Sequence, residues 1–214
     1  MELYYSPAAC SLASRIALYE CGAEARYTPV DLRTKRYGDG ADYLAVNPMG
    51  QVPAIRTDDG HLLTENAVVL QYIADRHPAA GLAPQSGSER YRLQQWLTFI
   101  ATELHKAVFF PLFDPTSNDG ARGFAREKAG KPFNHLNHYL EGREFLLDRF
   151  TVADAYLVTV LNWVAPAGLD LSPWPAVQAY HQRLLKRPAV ARACGEEFAM
   201  YQAGQAAQAA AAAN

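Results

Sequence analysis

Strand signals fill the first part of this chain and then stop, and that break limits the folds open to it. Residues 2–5 (Glu-Leu-Tyr-Tyr) read as a strand. The pattern Leu12, Ile16, Ala17, Leu18 reads as a helix closed by Cys21-Gly22, and residues 26–31 as a second strand. A β-α-β opening implies parallel neighbours and a right-handed crossover. Residues 34–43 are polar and glycine-bearing and read as a loop with a short helix. Strands follow at 53–56 and 61–63 around the turn signal Asp58-Asp59-Gly60, then a helix over 65–76 stopped by His77-Pro78. The small, proline-bearing stretch 78–87 reads as a linker. Beyond it only helical periodicity remains. A long helix over residues 88–110 carries Leu93, Trp96, Leu97, Ile100, Leu104 and Val108 and is interrupted at Pro111. Helices at 120–141, 151–165 and 174–186 follow, with a short one after Pro188. The expected organisation is an α/β domain over 1–77, the linker 78–87, an all-helical domain over 88–201 and an alanine-rich tail, 202–214, that frays for want of an apolar anchor.

Composition narrows the function. Of 214 residues 50% are hydrophobic and 20% charged, an ordinary globular balance. A net charge of −2 offers no basic footprint for nucleic acid. No apolar run approaches the roughly 20 residues of a membrane span. The start, Met1-Glu2-Leu3-Tyr4-Tyr5, lacks the basic and apolar regions of a signal peptide. Cys10, Cys21 and Cys194 are odd in number and at no metal spacing, which reads as reduced thiols in a cytoplasmic protein without a metal site.

Two adjacent stretches suggest chemistry. In Asn47-Pro48-Met49-Gly50-Gln51-Val52-Pro53-Ala54, the proline opens a strand. A cis bond before it would turn Val52 outward, offering its N–H and C=O to an extended peptide. In Leu63-Thr64-Glu65-Asn66, a helix start supplies amides for a carboxylate, and Glu65 can hold an ammonium. The same residues also describe a tight turn, a strand and a capped helix. Cys10 lies at the first helix start, where unpaired amides favour a thiolate. Ser11-Leu12-Ala13 follow, so no second cysteine resolves a disulfide, whereas a mixed disulfide with a small thiol is permitted. Thr151 and Asp154 form a capping pair of structural meaning.

These residues resemble a cytosolic glutathione transferase, most closely the bacterial beta class. The resemblance rests on residues 3–12 (LYYSPAACSL), 47–54, 62–65 (LLTE), 101–106 (ATELHK) and 150–156 (FTVADAY), spread in order over the chain to about Arg192. It implies a thioredoxin-like N-terminal domain, an all-helical C-terminal domain and a homodimer, with a glutathione site on the first domain and an electrophile site between the two. Cys10 would face the glutathione sulfur, with Ser11 able to donate to it and Tyr5 a core or wall residue. Lys35 would meet the glycine carboxylate, and Val52, Glu65 and Asn66 would grip the peptide. His105 would point into the cleft to stabilise negative charge or move a proton. Ser11, Glu103 and Lys106 would share a polar network near the dimer interface. Thr98 replaces an asparagine that in close relatives reaches the partner's glutathione, so that contact is expected to be lost. Asn66 and Leu147 also depart from the family pattern. Phe109, Phe110, Phe113, Tyr156 and Trp163 are candidates for the apolar pocket or for core.

The activity implied is conjugation of reduced glutathione, as co-substrate, to small hydrophobic electrophiles. A glutathione-dependent thiol-disulfide reductase or lyase using Cys10 is the alternative. A non-catalytic ligand-binding protein on the same fold is a further one. An isomerase of this fold would begin its helix serine-serine-cysteine, where this chain has Ala8-Ala9-Cys10.

Overall fold

The computed structural model describes residues 1–212. It comprises two compact units, Met1–Ala80 with the chain from Arg187 onward, and Gly81–Lys186. The first contains β1 (Glu2–Tyr5), α1 (Leu12–Glu20), β2 (Arg26–Asp31), β3 (Arg36–Tyr37), β4 (Ala41–Asp42), β5 (Ala54–Arg56), β6 (Leu62–Leu63) and α2 (Asn66–Arg76). The sheet order is β4-β3-β2-β1-β5-β6. Only β1 and β2 run parallel, with Leu3 opposite Tyr27, and the other neighbours are antiparallel. Leu3, Tyr4 and Tyr5 are buried, as the inner strand of a covered sheet requires. Ile16, Ala17 and Leu18 of α1 and Val69, Leu70 and Ile73 of α2 are buried with them.

Residues 34–43 correct the sequence expectation. They form the β3–β4 hairpin, and the helical turn comes after it, at Tyr43–Ala45. Two-residue strands are too short to show alternation. Gly38 and Gly40, both at positive φ, supply the turn that larger residues disfavour.

The last helix, α8 (Pro188–Ala212), corrects it further. A helical domain over 88–201 would include its first half, yet α8 packs on α1 of the first unit. Arg187 holds Glu20 through two parallel bonds of 2.6 and 2.7 Å. α8 also runs through most of the tail expected to fray. Alanine has the highest helix propensity, and extending an existing helix incurs no nucleation cost. That expectation for residues 213–214 lies outside the described residues.

The second unit holds α3 (Gly87–Phe99), which continues as a π-helical stretch (Ile100–Phe109) into α4 (Phe110–Phe113), then α5 (Asp119–Leu140), α6 (Val152–Leu161) and α7 (Pro175–Leu184). The interruption expected at Pro111 falls instead at Asp114. Pro111 is accommodated at the junction where the π-helical stretch passes into α4. Every residue of α6 is buried. Its start is fixed by Asp154, which accepts from Thr151 N (2.8 Å), Thr151 Oγ1 (2.9 Å), Leu146 N (2.9 Å) and Tyr180 Oη (2.7 Å). No described helix is long and apolar enough to cross a membrane.

Candidate functional site

The peptide grip takes shape in the first unit, on the loop between β4 and β5. The Val52–Pro53 bond is cis. Val52 is buried with Tyr4, Val30, Tyr43 and Ala54, so its backbone has a fixed position. The preceding residue is braced twice: Tyr43 Oη and Asn47 Nδ2 each donate to the Gln51 carbonyl at 2.8 Å. Sequence reasoning passed over both braces, although Asn47 opens the motif it singled out. Cys10 lies in the turn just before α1 and its thiol donates to the Val52 carbonyl at 3.0 Å. Residues 42 positions apart in sequence thus meet, and the carbonyl expected to be open to a ligand already accepts from the thiol.

Lys35 closes the same loop from the other side. Its backbone is left-handed (φ 57°) and its Nζ donates to the Gly50 carbonyl at 2.9 Å. Glu65 is exposed at the start of α2 with φ 64° and ψ 116°, a conformation costly for a non-glycine residue and concentrated at functional sites. Its carbonyl accepts from Val68 N and Val69 N, fastening the helix start. Asn66 is turned inward: Ser14 Oγ donates to its Oδ1 at 3.4 Å, while its Nδ2 is buried without a protein acceptor.

Ser11 departs from expectation. It is fully buried, and its hydroxyl donates to the Ser6 carbonyl and accepts from Ser6 N, both at 3.2 Å. The proton expected to serve a sulfur is engaged in closing the turn that carries Cys10. Tyr5 is a core residue: its ring lies under the Arg15 guanidinium, and its hydroxyl donates to Met200 Sδ. Cys21 is a packing residue whose thiol burial pushes up to about 11.

In the second unit, His105 sits in the π-helical stretch. Its Nδ1 is 2.7 Å from Tyr156 Oη, and Trp163 packs edge-on at 5.0 Å. Burial, helped by the neighbouring Lys106 charge, lowers its pKa to about 4, so the ring is neutral at physiological pH. The remaining sequence candidates are exposed. Thr98 offers its carbonyl to Thr102 Oγ1, which also contacts Glu103 Oε1, both at 3.1 Å. Lys106 Nζ lies 4.6 Å over the Phe110 ring. Within the chain, Glu103 and Lys106 have these partners on their own helix, and Ser11 has its partners in the Ser6–Ser11 turn. Phe109 and Tyr156 are core, whereas Phe110 and Phe113 are nearly half exposed.

A parallel β1–β2 pair, a helix start bearing one thiol, and a cis-proline loop laid against that thiol define the class of thioredoxin-like domains; here a helical unit follows. The family is more specific. The model for the glutathione S-transferase N-terminal domain matches residues 8–76, and that for the C-terminal domain residues 99–188. Glutathione S-transferase GstA of Escherichia coli O157:H7 is 44% identical over 199 residues, 92% of this chain and 98% of the relative. A solved sphingomonad glutathione S-transferase complexed with glutathione is similar at TM-score 0.88 and 45% identity, covering 92% of this chain and 98% of that one. The beta-class glutathione S-transferase of Sphingomonas chungbukensis matches with the same TM-score, identity and coverage. The chain belongs to the glutathione S-transferase family.

Proposed function

We propose that the first unit binds reduced glutathione extended along Val52, with its sulfur at Cys10, and transfers it to small hydrophobic electrophiles. The observation that carries this reading is the meeting of the Cys10 thiol with the Val52 carbonyl beside cis-Pro53. An extended ligand pairing with Val52 would place its central residue against that thiol. Lys35, held at Gly50, supplies a cation for the glycine carboxylate. The exposed Glu65 carboxylate takes the γ-glutamyl ammonium, and the first backbone amides of α2, beginning at Asn66, take the carboxylate beside it.

In the transfer step the glutathione thiolate forms a carbon–sulfur bond as the leaving group departs with its electron pair. The helix start and Cys10 lower the cost of that thiolate, and holding both reactants supplies the rest. His105 takes part as a neutral hydrogen-bonding group, because burial keeps it uncharged. Phe110 and Phe113 give the second unit an aromatic surface suited to an apolar electrophile. Thr98, Glu103 and Lys106 lie on the exposed side of their helix, in keeping with a homodimer face, and sedimentation equilibrium of the purified protein checks that assembly. A cytoplasmic setting accords with three cysteines that are joined in no disulfide.

The first test is calorimetric titration of glutathione into the reduced protein. Binding between micromolar and low millimolar strength is expected, and absence of heat together with absence of thermal stabilisation would remove the reading. A Cys10→Ala variant then separates two chemistries. If Cys10 only flanks the sulfur, conjugation falls and no adduct was ever formed. If Cys10 is itself the nucleophile of a thiol-disulfide exchange, the parent gains the mass of glutathione after exposure to its disulfide, releasing one glutathione thiolate, and the variant does not.

A further inference from the structure

The turn that carries Cys10 is tied down from the far end of the chain. Ala8 stands at φ 60°, a left-handed conformation that an alanine seldom adopts. Its N–H donates to Glu197 Oε2 at 2.9 Å, and Glu197 belongs to α8. Glu197 has no exposed surface, and its other oxygen accepts from Arg15 Nε, also at 2.9 Å. Arg15 is itself buried, clamped between the rings of Tyr5 and Tyr27 at 4.4 and 4.3 Å, and reaches Tyr19 and Glu196 through Nη1. One carboxylate therefore joins three elements: α8 supplies it, α1 neutralises it, and the Ser6–Ser11 turn is held by it. The turn then fixes itself through Ser11 and presents Cys10 to Val52.

We propose that Glu197 is a positioning residue for the sulfur site, holding Ala8 in its left-handed conformation and thereby setting the exposure and aim of Cys10. This deepens the reading that Cys10 flanks the glutathione sulfur and rests on it. Glu197 does not touch the reacting atoms. Its effect passes through two peptide units, from the Ala8 amide to the Cys10 backbone. The arrangement is also sensitive to pH. Burial pushes the Glu197 carboxyl up to about 7, against the pull of Arg15 and the Ala8 amide and with the Glu196 charge adding to the rise. Tyr19, Tyr27 and Arg192 complete the titratable and charged groups around this cluster. Protonation weakens the carboxyl as an acceptor, so the hold on Ala8 slackens below neutrality.

Alkylation of Cys10 by iodoacetamide, read on its own peptide by mass spectrometry, reports the turn without requiring glutathione. Glu197→Asp keeps the charge but withdraws it by one methylene from Ala8. The alkylation rate of Cys10 is expected to rise about fivefold or more, the scale on which alanine disfavours a left-handed backbone. Cys21 and Cys194, measured in the same digest, should keep the parent's rates, which separates release of the turn from general loosening. Adding Ala8→Gly should restore slow alkylation, because glycine holds that φ unaided; a purely structural role for Glu197 would not be rescued this way. Should Glu197→Asp fail to fold, the isosteric Glu197→Gln decides. Its neutral amide is a weaker acceptor for the Ala8 N–H than the carboxylate, so Cys10 alkylation at a fixed neutral pH should be faster than the parent's, and a folded Glu197→Gln with the parent's rate would overturn the proposal. So would a folded Glu197→Asp with the parent's Cys10 rate. A parent that binds no glutathione while these rates move as described defeats the sulfur-site reading and leaves the latch standing.

Discussion

Replacing Asp154 by alanine should be among the most damaging single changes in the second unit. The side chain accepts four hydrogen bonds. Two come from backbone N–H groups of Leu146 and Thr151, neither of which has exposed surface, and one from the Tyr180 hydroxyl, which is 1% exposed. Without the carboxylate these three donors have neither protein nor water to turn to, at about 1–3 kcal/mol each. Removing a buried carboxylate returns some of its desolvation cost, which burial registers by raising the Asp154 pKa. The net loss is therefore placed at the low end of the sum, about 3 kcal/mol. With a urea slope near 2 kcal/mol/M, the midpoint should fall by about 1.5 M. Trp96, Trp163 and Trp174 all lie in the unit concerned, so tryptophan fluorescence reads its unfolding directly. Asp154→Asn should fall between the two, since it keeps an acceptor oxygen but turns an NH2 group on the remaining donors. A midpoint for Asp154→Ala within about 0.3 M of the parent's would refute the assignment of these bonds as the anchor of α6.

Two further outcomes follow from the local geometry. Gly50 has φ 60°, and a Cβ there would lie 3.1 Å from Lys35 Cδ and Cε, so Gly50→Ala should dislodge Lys35 and raise the glutathione KM severalfold with little change in kcat; steady-state kinetics at varied glutathione checks this. His181 bonds Asn162 Oδ1 at 2.7 Å and is held by burial near pKa 4, below its ordinary 6.5. A depressed folded pKa contributes stability that is complete above 6.5 and lost as pH falls toward 4. The gap in thermal midpoint between the parent and His181→Gln should therefore narrow on acidification through that window, and a constant gap would contradict it.

Much of this architecture was legible because it is written in short-range patterns. The first strand is a short apolar run, the second alternates, the helix between them ends at a glycine, and the Thr151–Asp154 pair marks its helix start whatever packs around it. The β3–β4 hairpin escaped because two residues cannot establish a period. The π-helical stretch escaped for a subtler reason. Ile100, Leu104 and Val108 recur every fourth residue, a step that an α-helix and a wider coil both tolerate. At the site, Cys10 and Val52 were visible as residue types suited to a thiol-bearing peptide and Lys35 only through the family resemblance, and the fold brought the Cys10 thiol to Val52 and Lys35 to Gly50. Ser11 was misread because a hydroxyl beside a helix start serves the local backbone as readily as a ligand. Glu197 gave no signal at all: the second of two adjacent glutamates reads as a solvated helix face, and only its meeting with Arg15 and Ala8 shows otherwise.

Because α8 completes the unit that the first strand begins, the order of synthesis and the order of assembly are at odds. The segment 81–186 is contiguous and can fold once it has left the ribosome. Residues 1–80 emerge earlier but must wait for the last helix before Arg15 meets Glu197 and Glu20 meets Arg187. A nascent chain stalled near Lys186 would thus carry a finished helical unit and an unfinished sulfur site. The turn that carries Cys10 would gain its tie to Glu197 only after residues 187–197 had been made.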